Sequence, residues 1–206
     1  MDRVSTQVGL ILAGGRSRRF GRDKAWEPWG GVPLVRRLYG LFRGIFSETY
    51  VVLHLPSDRF LGMNVILDLY PEGGPMNGIY SALVTTCAPS VFVAACDLPR
   101  LEPRDIERLL AHWEPAFPAL VYRRAGAWEP LCGIYSRKLI PLLRQRLQNG
   151  DYQLQDLLRD AGARGIEYPA KNGEDGLANM NTQEDYRNLL LDEDNNERRE
   201  NYADAS

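Results

Sequence analysis

The sequence predicts an α/β fold: three layers, with a mostly parallel mixed sheet flanked by helices in a Rossmann-like plan. Three observations carry that prediction. Short apolar runs alternate along the chain with segments of helical spacing. The early runs have no polar face, as strands buried on both sides require. The length, 206 residues with 44% hydrophobic, suits one substantial core.

The elements follow in order. Val8 to Leu12 is a continuous apolar run and reads as a buried strand. Pro33 suits a first helical turn, and Leu34, Val35, Leu38, Leu41 and Phe42 continue it at helical spacing. Strands are expected over Tyr50–Leu53 and Asn64–Asp68, then a loop, YPEGGPMN, then a helix from Gly78 to Thr86. Val91 to Cys96 is a strongly apolar strand ending at Asp97, followed by a helix from Arg104 to His112. Ala119–Tyr122 and Leu131–Tyr135 read as strands, Lys138–Leu147 and Gln153–Arg159 as helices, and Ile166–Tyr168 as a last strand. Thr182 caps a final helix over Gln183–Leu190, with an acid three residues on. Residues 1–191 form the expected domain. Residues 192–206 read as a flexible acidic tail, nearly free of apolar side chains.

Composition excludes several classes. A net charge of −2 argues against a general nucleic-acid coat. Cys87, Cys96 and Cys132 form no CxxC pair, and only His54 and His112 accompany them, so a structural zinc site is not expected. The odd cysteine count favours a reducing compartment, hence the cytoplasm. No apolar run is long enough to span a membrane, and no secretory signal precedes the first strand.

The loop after the first strand carries the strongest chemical signal. Gly14 and Gly15 let the backbone turn tightly and approach a ligand, and successive N–H groups there can form an anion nest. Arg16, Arg18, Arg19, Arg22 and Lys24 follow within nine positions. Such a loop holds phosphates at the carboxyl end of a parallel strand, where ligands of such sheets bind. It is neither GxxxxGK[ST] nor GxGxxG opening a helix. Asp68 and Asp97 end two predicted strands and should reach the same rim. Carboxylates beside phosphates suit Mg²⁺, with Asp97 the stronger candidate, although either could cap a helix or turn. Gly73, Gly74 and Gly78 permit a close wrap around a flat group, and Asn77 offers a donor and an acceptor to a nucleobase. His54 has no obvious acidic partner, and Trp26 and Trp29 could cover a ligand or pack a lid.

LILAGGRSRRFGRDKA, residues 10–25, resembles the LAGGxSxRMGxDKA pattern of molybdenum cofactor guanylyltransferases. GGVPLV, YPEGGPMNGIYSAL, VFVAACDLP and NMNTQEDY are similar to later motifs of that family, in order, over roughly residues 8–190. The resemblance implies a single-domain nucleotidyltransferase fold and transfer of GMP from GTP to molybdenum-loaded molybdopterin, with Mg²⁺ and release of pyrophosphate. It places Leu12, Ala13, Gly14 and Gly15 around guanine and ribose, and Asp68 near the guanosine. Arg19 and Lys24 would meet phosphates, Asp97 would bind Mg²⁺, and Pro130, Asn179 and Asn181 would lie on the acceptor side. Partners would be GTP and the pterin, with room for transient contact with proteins that supply or receive the cofactor. Phe20, Val32 and Met76-Asn77 depart from the family pattern, the last at the base-side loop. AGG at 13–15 favours guanylyl over cytidylyl transfer. Alternatives are a cytidylyltransferase for the same pterin, a sugar-1-phosphate nucleotidyltransferase, and a non-catalytic nucleotide-binding protein.

Overall fold

The computed structural model describes residues 8–13, 23–169 and 175–192. Its centre is a seven-stranded sheet. Strands β1 (Val8–Leu12), β4 (Glu48–Leu53), β5 (Val65–Leu67) and β6 (Ser90–Ala95) run parallel. Beyond β6 the sheet turns antiparallel through β8 (Ala127–Ser136) and β7 (Ala119–Arg124), and β9 (Arg164–Glu167) closes it parallel to β7. The order across the sheet is β5-β4-β1-β6-β8-β7-β9, the mostly parallel mixed sheet that the apolar runs predict.

Consecutive strand residues point to opposite faces, and each face has its own core. Ile11, Val51 and Phe92 pack with α1 (Leu34–Arg43) and α3 (Pro103–His112). Leu10, Val52 and Val93 pack with α2 (Gly74–Thr86), α4 (Ile140–Gln148) and α5 (Leu154–Asp160) on the other side. Because neighbouring positions are buried alike on β1 and β6, alternation is absent and the runs read as continuous. Each fully buried side chain such as Phe92 or Leu38 contributes about 1.5–3 kcal/mol relative to exposure.

Several expectations shift. The glycine-proline stretch is not a loop up to Gly78: α2 already begins at Gly74 and takes Pro75 into its first turn. The expected helix from Lys138 opens as a 3₁₀ turn over Arg137–Leu139 before α4. The last strand lies at Arg164–Glu167 rather than 166–168. A small hairpin was not foreseen: β2 (Pro28–Trp29) pairs antiparallel with β3 (Val32–Pro33). Gly30 and Gly31 turn it with φ of 56° and 78°, a left-handed pair that matches the twist of a two-residue hairpin.

The final helix, α6, covers 183–192. Thr182 Oγ1 accepts from the Asp185 N–H at 3.0 Å, and Asp185 Oδ2 accepts from the Thr182 N–H at 2.7 Å, the reciprocal cap expected from the sequence. Trp29, Leu34, Met180 and Leu189 form a third apolar cluster that seats α6 on the hairpin. The acidic tail expected from 192 onward lies outside the described residues, except Asp192 at the end of α6. No helix among the described residues is long and apolar enough to cross a membrane.

Candidate active site

The carboxyl ends of β5, β4, β1 and β6 form one rim. Three backbone bonds extend the ladder past the strand ends: Ala13 N–H to Val52 O at 3.1 Å, Cys96 N–H to Leu12 O at 3.1 Å, and Asp68 N–H to Leu53 O at 2.9 Å. Asp68 and Asp97 are therefore held on this rim by register. A pocket opens there, lined by Leu12, Ala13, Asp23, Lys24, Ala25, Val52, Asp68, Gly74, Pro75, Gly78, Ala95, Cys96, Asp97 and Leu131.

At one end, Lys24 Nζ lies 2.8 Å from Asp97 Oδ2 and donates to Asn181 Oδ1 at 3.2 Å. The pair is largely buried, with side chains 16% and 13% exposed, so little water screens it. Asp23 caps the turn that presents Lys24, its Oδ1 accepting from the Ala25 N–H. Arg59 braces that turn, 3.1 Å from Asp23 and stacked 4.5 Å over the Trp26 ring. Trp26 is packed edge-on against Phe60 and Trp29 is in the α6 cluster, so both pack the body. Asn181 arrives from the far end of the chain because the Met180 N–H donates to Asp97 O at 2.9 Å. Upstream, Arg124 binds Asp175 at 2.8 Å, and the Gly176 N–H donates to Tyr168 Oη at 3.0 Å.

The second oxygen of Asp97, Oδ1, is buried and has no hydrogen-bond partner among the described residues. A buried acceptor left unpaired costs about 1–3 kcal/mol, so this oxygen is suited to accept from, or coordinate, a group that enters the pocket. Among the described residues no group of three or more His, Cys, Asp or Glu is arranged around a metal. One carboxylate plus phosphate oxygens is nevertheless a normal Mg²⁺ environment, and Asp97 Oδ1 fits it.

At the other end of the pocket stands Asp68, whose Oδ1 is also buried without a partner among the described residues. Burial pushes its carboxyl above the ordinary aspartate range, partly offset by a hydrogen bond and charge from His54. His54 Nδ1 is 3.4 Å from Asp68 Oδ2, so the histidine does have an acidic partner. β5 and β6 are separated by β4 and β1, which puts their ends roughly 14 Å apart at the usual strand spacing. Asp68 and Asp97 therefore do not form a shared carboxylate pair for one cation.

Leu12, Ala13, Lys24, Asp68, Gly78 and Asp97 are thus brought to one pocket. Gly14, Gly15 and Arg19, with Arg16, Arg18, Phe20 and Arg22, lie outside the described residues. Asn77 is a correction: it is fully buried, its Oδ1 accepts from the Tyr70 N–H and its Nδ2 donates to Tyr70 O at 2.6 Å. Its amide shapes the 69–73 turn and is not on the pocket wall. Pro130 is half-buried with its carbonyl taken by Tyr135 Oη, and its neighbour Leu131 reaches the wall instead. Asn179 is exposed and also off the wall. Val52, Ala95 and Cys96 are wall residues that motif reading missed. Their place at or next to the carboxyl ends of predicted parallel strands was the available signal for them. Burial drives the Cys96 thiol up to about 12, so it stays a neutral apolar surface.

The family model described as MobA-like NTP transferase domain matches residues 9–166. A Pseudomonas paraeruginosa protein named molybdenum cofactor guanylyltransferase is 35% identical over 181 residues, covering 85% of this chain and 90% of its own. An Aquifex aeolicus protein named "Probable molybdenum cofactor guanylyltransferase" is 34% identical, over 87% of this chain and 88% of its own. The crystal structure of molybdopterin-guanine dinucleotide biosynthesis protein A from Archaeoglobus fulgidus superposes with a TM-score of 0.75 at 24% identity, over 88% and 95% of the two chains. That likeness shows the shared fold.

Proposed function

The chain belongs to the MobA-like NTP transferase family, and from that premise we propose that it transfers GMP from GTP to the terminal phosphate of molybdenum-loaded molybdopterin. The observation that carries the reading is the meeting of Lys24, Asp97 and Asn181 at one end of a rim pocket, in a chain whose relatives bear the guanylyltransferase name.

An oxygen of the acceptor phosphate attacks the α-phosphorus of GTP. The new O–P bond forms as the bond to the bridging oxygen breaks, and pyrophosphate leaves with the electron pair. No proton need be removed from the nucleophile, because a phosphate monoester with a second pKa of about 6 is already ionised near neutral pH. Catalysis then rests on bringing two polyanions together. Lys24, already held beside Asp97, offers its ammonium to the phosphates with little reorganisation, and Arg19 is proposed to share that task. Asp97 would hold Mg²⁺ through the oxygen that has no partner here, and the ion supplies positive charge against the phosphate oxygens. Leu12, Ala13, Gly78 and Asp68 would take the nucleoside, together with Gly14 and Gly15. Asn181, beside Lys24, would face the junction between donor and acceptor, with Asn179 and Pro130 toward the pterin.

We further propose that the activity resides in one domain, residues 1–191, followed by an acidic tail, in a cytoplasmic protein. The free thiol of exposed Cys87 suits a reducing compartment. The test is direct. Protein is incubated with GTP, CTP or ATP, Mg²⁺ and molybdenum-loaded pterin, and the nucleotide attached is identified by mass. GMP attachment from GTP is expected. CMP attachment, or no product with any nucleotide, overturns the reading.

A further inference from the structure

His54 and Asp68 stand one step beyond the paired residues Leu53 and Leu67, side by side on adjacent parallel strands. The backbone bond from Asp68 N–H to Leu53 O fixes that placement. The two carboxylate oxygens of Asp68 are not equivalent. Oδ2 lies 3.4 Å from His54 Nδ1. Oδ1 is buried without a partner among the described residues, on a side chain only 9% exposed that lines the pocket. A Cβ added at Gly78 would lie 3.8 Å from that oxygen and 2.8 Å from Leu12, so the bare backbone of α2 keeps the space in front of Oδ1 open.

We propose that His54 is a positioning residue: its Nδ1–H holds Asp68 Oδ2, so that Oδ1 is presented to the pocket as the acceptor for an N–H or O–H of the bound nucleoside. The inference rests on the nucleotide reading above and adds a residue to it. Acceptor-only chemistry at Oδ1 favours a ligand edge that donates. Burial alone would drive this carboxyl toward its neutral form, and His54 opposes that. An ionised acceptor makes the stronger hydrogen bond.

The experiment reads nucleotide binding by calorimetry without acceptor, on the full chain, with GTP, ITP and 2′-deoxyGTP. His54→Leu is expected to weaken GTP about tenfold, the scale of one charge-assisted hydrogen bond. His54→Asn, whose amide nitrogen is bonded to Cγ as Nδ1 is, keeps an N–H of similar reach and is expected to restore most of the loss. With its side chain 33% exposed, position 54 tolerates both changes. In the wild type, ITP weakening alone assigns the donor to the 2-amino group, and 2′-deoxyGTP weakening alone assigns it to the ribose hydroxyl. Equal binding of GTP by His54→Leu and wild type overturns the inference while leaving the function intact. Equal losses in His54→Leu and His54→Asn also overturn it, because a merely structural role would not distinguish them. Failure of the wild type to bind GTP at all overturns the function instead.

Discussion

Asp97 and Asp68 occupy equivalent places in the fold. Each follows a parallel strand by one or two residues, lines the same pocket, and has one buried oxygen without a partner among the described residues. Their company differs. Asp97 meets the Lys24 ammonium at 2.8 Å, whereas Asp68 meets an imidazole at 3.4 Å and is pushed by burial toward its neutral form. A strand end therefore does not by itself decide what a carboxylate does. A fixed opposite charge makes one end suited to phosphates and a cation. A weaker neighbour leaves the other end suited to hydrogen-bond recognition.

The sharpest way to break this contrast is Asp97→Ala. The rate of GMP transfer under saturating GTP is expected to fall by at least ~10², the scale of one well-placed electrostatic group, with GTP affinity changing far less. A wild-type rate removes Asp97 from the chemistry. At the Asp68 end, Gly78→Val puts methyl groups between Leu12 and Asp68, where even a Cβ comes within 2.8 Å of Leu12. GTP affinity should drop about tenfold by titration, the scale of a 1.4 kcal/mol loss. Unchanged affinity would show that the nucleoside lies elsewhere.

Two smaller effects sharpen the comparison. Asp68 has a folded-state value above the ordinary 3.8. Its contribution to stability is thus fully present below the unfolded value and lost as pH rises through the folded one. Asp68→Asn removes the buried charge, so its melting temperature at pH 7 should equal or exceed that of the wild type. The gap should close as pH falls through the folded value, while GTP binding is weaker at pH 7. A lower melting temperature for the variant at pH 7 contradicts the burial argument. Thr182→Ala removes the cap that starts α6 behind Asn181 and should cost about 1 kcal/mol by denaturant unfolding. A variant of unchanged stability would mean that the Trp29 cluster alone holds α6.

The fold was largely legible because its signals are local. Leu10 and Ile11 are buried on opposite faces, so the run around them is apolar throughout and reads as a central strand. The Thr182 cap and the Pro33 helix start are equally local. The hairpin at 28–33 escaped because two residues per strand carry no period, and only the Gly30-Gly31 pair marked it. In the stretch from Gly73 to Gly78, glycine and proline suggested a loop, but the apolar packing of Met76 and Ile79 carries the helix through it.

By itself, the sequence determined the alternation of elements, the sheet class and the two strand-end aspartates. These depend on periodicity and on residue chemistry at fixed spacing. Only the tertiary structure decided who faces whom. The order β5-β4-β1-β6 separates Asp68 from Asp97 and sets His54 beside Asp68. The bond from Met180 to Asp97 brings Asn181 to Lys24. Asn77, polar and suggestive in the sequence, is spent on the Tyr70 backbone. The reasons are physical: strand order and register set His54 and Asp68 side by side, a backbone bond between segments distant in the chain carries Asn181 to Lys24, and the start of α2 folds Asn77 back onto the nearby Tyr70 backbone.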